Sequence, residues 1–123
     1  MSDKGPVLQI INGYAPGTFH VSGVDYHGPV LVIPNRTVRW DVSSLADATV
    51  DSFQAVIEAS PKVELLIIGC GRSIRPVPPA LRAGLRQHGI VVEPMDTGAA
   101  CRQYAVLLGE NRRVAAALLP LPA

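Results

Sequence analysis

A chain of 123 residues, 48% hydrophobic and 17% charged, is long enough to bury one sizeable core and too apolar to be disordered. Eleven basic against ten acidic residues leave a net charge of +1, with no basic block and few aromatics for bases to stack on, which argues against nucleic-acid binding. Two cysteines are too few for a disulfide-stapled secreted scaffold, and no apolar run approaches the roughly 20 residues that span a bilayer.

One domain over residues 1–123 is expected. The opening "MSDKGPVLQIING" has Asp3 and a Gly-Pro pair where a signal peptide needs an apolar stretch, so a cytoplasmic protein is the expectation. The low charge content leaves part of the surface apolar, which favours a protein partner or a homodimer.

The first forty residues predict antiparallel hairpins. "VLQII" fits a short buried strand, and "TFHVS" alternates Phe19 and Val21 with polar neighbours. "PVLVIP" is bounded by prolines, and "TVRWDV" alternates Val38, Trp40 and Val42. A helix follows from about Val50 to Ala59, with Thr49 as its cap and Phe53, Val56 and Ile57 on one face. Pro61 ends it.

"VELLIIG" is the aliphatic run of a strand covered on both faces. A second helix starts at Pro79, with Leu81 and Leu85 on one face, Arg82 and Arg86 on another, and Gly89 in the left-handed terminal position. "IVVEPM" is the next strand. Strand, helix, strand is a βαβ unit with parallel strands. "DTGAACRQYAVLLG" reads as a third helix, capped by Asp96 or Thr97, closed by Gly109, and burying Ala100, Tyr104, Leu107 and Leu108. "RRVAAALLP" is the last strand. The predicted fold class is α/β in three layers: a mixed sheet, helices on both faces, and an extra N-terminal β-hairpin layer.

In a βαβ unit both strands end at one edge of the sheet, where ligands of open α/β sheets tend to sit. "GCGRSIRP" and "MDTGAACR" should therefore be neighbours in space, although far apart in the chain. Gly69 and Gly71 suggest a phosphate loop, but position 74 is Ile74 and a proline-rich stretch delays the helix. The plainer reading is a close turn. Thr97 and Gly98 lie at a helix N-terminus, whose N–H groups attract anions. Arg72, Arg75 and Arg102 would add charge-assisted bonds across the crevice; the plainer reading is a capped helix with solvated arginines. Cys70 faces Cys101, placed in the helix's first turn, so a redox pair is conceivable, against the ordinary reading of two buried fillers. His20, His27 and His88 are scattered, no cysteine cluster accompanies them, and neither a metal site nor a cofactor is expected.

The stretch from Val63 to Pro120, above all "MDTGAACR…Y…L…E.RRVAAAL", together with "GY…F.V.G…Y.G.VLV.P" near the start, resembles a family of unknown function. That family includes the mitochondrial assembly factor 3 of respiratory complex I. The resemblance implies a three-layer fold; no catalytic activity or cofactor is established for the family, and its mitochondrial members act as binding proteins during assembly. A chain lacking a presequence looks like a bacterial member. The family's Gly-Thr-Gly is Gly69-Cys70-Gly71 here, and its Thr-Tyr-Asn is Gln103-Tyr104-Ala105. Both changes are expected to take polar groups out of the crevice.

No catalytic constellation stands out. The expected function is a non-catalytic binding or assembly protein linked to biogenesis of respiratory or membrane complexes. Its binding residues would be Gly69, Cys70, Gly71, Arg72, Arg75, Thr97, Gly98, Cys101 and Arg102. The alternative is a binder of small anions, phosphates or carboxylates, or an enzyme, using the same crevice.

Overall fold

The computed structural model describes residues 8–122. Three short strands, β1 (Ile11–Ala15), β2 (Thr18–Val21) and β3 (Val24–His27), form an antiparallel meander. The chain then enters a five-stranded sheet through the hairpin of β4 (Val30–Ile33) and β5 (Arg36–Arg39). Of the predicted N-terminal hairpins, then, only the first three strands form the extra layer; β4 and β5 extend the main sheet. "VLQII" is not itself a strand: Leu8–Ile10 lack regular structure, and Val7 lies outside the described residues.

The main sheet is completed by β6 (Leu65–Cys70), β7 (Val91–Met95) and β8 (Val114–Leu119), in the order β5-β4-β8-β6-β7. β6 runs parallel to both β7 and β8, while β4 meets β8 antiparallel. The mixed sheet follows from composition. β8, "VAAALL", is buried at every position, as a central strand covered on both faces must be.

One face of the sheet packs under a 3-10 turn (Val50–Phe53), α1 (Gln54–Ile57) and α2 (Pro79–Arg86). Leu66, Ile68, Ala115 and Ala117 of the sheet meet Phe53, Val56, Leu81 and Leu85 there. The other face packs under α3 (Thr97–Gly109) and the small sheet. Ile67, Val114, Ala116 and Leu118 meet Ala100, Tyr104, Leu107, Phe19 and Val21. Two cores on two faces give the three layers.

The predicted helix at 50–59 is only partly α-helical. Val50, Phe53 and Val56 recur every third residue, and side chains at that spacing eclipse in a 3-10 helix. Phe53 and Val56 are buried, whereas Ile57 is half-buried. Ser52 Oγ accepts the Thr49 N–H at 3.0 Å at the entry. α2 matches its prediction from Pro79 through Gly89, whose φ is +77°. Arg82, however, is not merely solvated: Nη1 donates to the Val92 carbonyl at 3.0 Å. With Pro94 lacking an N–H, this closes the outer edge of β7 to a further strand. At the end of α3 the left-handed residue is Asn111 (φ +60°), not Gly109. The Arg112 N–H returns to the Leu107 carbonyl at 3.0 Å, so the helix runs through Gly109 before it closes.

Candidate functional site

Parallel pairing of β6 with β7 and β8 brings the two predicted loops together. The Gly71 N–H donates to Thr97 Oγ1 at 2.8 Å, and the Thr97 N–H donates back to the Gly71 carbonyl at 2.8 Å. The Thr97 hydroxyl then donates to the Leu119 carbonyl at 2.6 Å. Thr97 is completely buried. One hydroxyl thus joins the ends of β6 and β8 to the start of α3. Gly71 has φ +88°, a backbone that side chains disfavour, and so turns the chain into this arrangement.

Gly69 has the packing role of the plainer reading. A Cβ there would lie 3.0 Å from Leu118 Cδ2 and 3.1 Å from Thr97 Cα. A side chain at this position would collide with β8 and with the start of α3. At the head of α3, Asp96 is the cap and its Oδ1 accepts the Ala99 N–H at 2.9 Å. The Ala100 N–H goes to the Asp96 carbonyl. The first donors of the helix are therefore largely used.

Gly98 admits another loop. A Cβ on it would stand 2.8 Å from the Tyr14 hydroxyl and 3.5 Å from Arg102 Nη1. The β1–β2 turn also reaches over this edge, with the Gly17 N–H donating to the Leu121 carbonyl at 2.8 Å. Tyr14 and Gly17 belong to the site, although nothing in the predicted N-terminal hairpins places this one over the strand ends. The signal that would have found them is Gly98, a glycine in a helix's first turn, which calls for something close to the backbone.

The two cysteines separate. Cys70 is buried in the core under α1 and α2, and Cys101 in the core under α3, on opposite faces of the sheet. Cys101 is a turn further into α3 than its first residues, too deep for the helix terminus to stabilise a thiolate. Burial pushes its thiol up from an ordinary 9.0 to about 11, against a smaller opposing effect from Arg102. Burial likewise raises the phenol of Tyr104, whose hydroxyl donates to the Gln9 carbonyl at 2.7 Å. Gln103 and Ala105, two positions of departure from the family pattern, lie exposed along α3 rather than at the strand ends.

Arg72, Arg75 and Arg102 are exposed. The ion pairs among the described residues are His20–Asp25 and Arg113–Glu64, so none of these three arginines has a carboxylate partner there. Ile74, between the first two, is 61% exposed. Of the predicted set, Gly69, Gly71 and Thr97 build the edge, Gly98 admits Tyr14 beside it, the two cysteines are buried in the cores, and the arginines are exposed. Among the described residues no group of three or more His, Cys, Asp or Glu is placed to hold a metal ion.

Two outcomes follow from this geometry. Thr97→Val keeps the shape but strands a buried N–H and a buried carbonyl, at about 1–3 kcal/mol each. In urea denaturation the midpoint should fall accordingly with the slope unchanged, while Thr97→Ser should cost only about 1 kcal/mol for its lost methyl. The raised Cys101 thiol holds its proton more tightly when folded. Its contribution to stability is complete below pH 9 and is lost as pH climbs toward 11. Cys101→Ala should flatten that part of the stability–pH curve; an unchanged slope would contradict the burial of the thiol.

Comparison with known proteins now bears on this edge. A bovine protein named NADH dehydrogenase [ubiquinone] 1 alpha subcomplex assembly factor 3 is 38% identical over 97% of this chain and 65% of its own length. The chain thus spans just under two-thirds of that relative. An uncharacterised protein of Rhodobacter capsulatus is 38% identical, over 91% of this chain and 85% of its own. The crystal structure of a Bordetella parapertussis protein superposes with a TM-score of 0.85 at 32% identity, covering 95% of this chain and 99% of the other. No helix among the described residues is long and apolar enough to cross a membrane. The family model described as a protein of unknown function, DUF498/DUF598, matches residues 11–119, and the chain belongs to that family.

Proposed function

We propose that this chain is a cytoplasmic, non-catalytic binding protein that takes part in assembling a respiratory complex, and that it engages a protein partner at the strand-end edge. The observation that carries this reading is the loop Arg72-Ser73-Ile74-Arg75, exposed throughout, standing over an edge that Thr97 seals. Exposed guanidinium groups flanking an exposed isoleucine suit a protein partner, since arginine is enriched at interfaces and their hot spots. Arg102 extends the same surface along α3. The bovine relative's name supports the assembly role. The small-anion alternative is weaker, because Thr97 and Ala99 already spend their N–H groups on Gly71 and Asp96.

The test is complementation in Rhodobacter capsulatus lacking its relative. Loss of that relative should lower the amount of assembled complex I on native gels and its NADH:quinone activity, and this chain should restore both. The triple charge reversal Arg72→Glu, Arg75→Glu, Arg102→Glu should fold normally yet fail to restore them. Unchanged complex I in the deletion strain would overturn the assembly role; full rescue by the triple variant would overturn the proposed edge.

A further inference from the structure

A second surface lies at the other end of α3. Residues 8–10 run there without regular structure, but they are firmly held. The Ile10 N–H donates to Ser22 Oγ at 3.0 Å, and the Ser22 N–H donates to the Ile10 carbonyl at 2.7 Å. The Gln9 carbonyl accepts from Tyr104, and Gln9 Oε1 accepts from the Thr37 hydroxyl at 2.8 Å. This pinning inverts the usual pattern. The polar Gln9 is turned inward, and Leu8 and Ile10 are held outward, 48% and 53% exposed.

Leu8 and Ile10 form one wall of an apolar groove of about 300 Å³, with Ile11, Tyr104, Ala105 and Leu108 completing it. Tyr104 spends its hydroxyl on Gln9, so it adds only ring surface. Leu8 and Leu108 also line an adjoining depression of about 150 Å³ that ends at Asn111, Arg112 and Arg113. Arg113 is paired with Glu64 at 2.5 Å, whereas Arg112 has no carboxylate partner among the described residues. The groove is thus apolar along its length and positive at one end.

We propose that this groove docks the apolar face of a short amphipathic helix from a partner protein, with a carboxylate of that helix on Arg112. Strand addition does not suit the wall, because the Gln9 carbonyl and both backbone groups of Ile10 are already bonded. An apolar groove flanked by a helix instead suits an amphipathic helix laid into it by its apolar face. Charge complementarity selects an acidic residue at the Arg112 end. The inference rests on the reading of the chain as a partner-binding protein, but it does not depend on which complex the partner serves.

A photo-crosslinking residue at position 105, in the full chain expressed in its native host, tests it. A control is placed at Val24, exposed on the small sheet. Mass spectrometry of the crosslinked peptide should find, from position 105 only, a segment of another protein with apolar residues at i, i+3 or i+4 and i+7 and an Asp or Glu beyond them. Ile10→Asp should cut the crosslink yield by more than about tenfold, as for a central contact. Arg112→Glu should cut it about two- to fivefold, the size of an exposed ion pair. Crosslinks to residues 1–7 of the same chain, to a second copy, to a segment without an acid, or to nothing would each overturn the proposal, as would an Ile10→Asp variant with full yield. A specific crosslink in cells whose complex I does not need this protein would sink the assembly role and leave the groove standing.

Discussion

The hydroxyl of Thr97 is the contact on which the rest of the molecule depends. It accepts from Gly71 and donates to Leu119, and its own backbone returns to Gly71. Buried polar groups are costly unless paired, so this side chain fixes the relative position of three elements at once. Gly69 must lack a side chain for α3 to approach, and Gly71 must take a left-handed backbone to present its N–H. The place where α/β proteins commonly bind small molecules is occupied here by the protein's own bonds.

Two groups of side chains stand along α3 outside the sealed edge. Arg72, Ile74, Arg75 and Arg102 stand near the start of α3, and Leu8, Ile10 and Leu108 flank its far end. Both lie along the same helix, with Arg102 and Leu108 about 9 Å apart along its axis. Both depend on rigid support, from the sealed strand ends in the first case and from bonds to Ser22, Thr37 and Tyr104 in the second. Preorganised surfaces of this kind lose little freedom when a partner binds.

Much of the fold was legible because its signals are local. The aliphatic run at β6, the Pro79-to-Gly89 helix and the Asp96 cap each follow from residues a few positions apart. The parallel pairing followed from their order. β3, "VDYH", alternates Val24 and Tyr26 with Asp25 and His27, but four residues closed in by Gly23 and Gly28 are a weak signal, and pairing with β2 is what fixes them as a strand. The 3-10 turn at Val50–Phe53 hid inside a pattern that fits both three and 3.6 residues per turn. Thr97 read as a cap, because nothing in sequence shows that β8 ends beside it. The arginines' exposure was legible, but not that their crevice is filled. Gln103 and Ala105 were placed at the strand ends by proximity in sequence, and one helical turn carries them away. The inverted pattern at Leu8–Ile10 could not be read, since an apolar run gives no hint that its polar member is the one turned inward.

Whether the strand-end edge is closed in solution is measured directly by amide hydrogen exchange followed by NMR. The Gly71 and Thr97 amides should exchange as slowly as those of Ile67 and Ala116 at the centre of the sheet, because opening them requires parting β6, β8 and α3. Exchange of these two amides at the rate of the exposed Arg72–Arg75 loop would mean an open crevice, and would return the strand ends to use as a binding pocket.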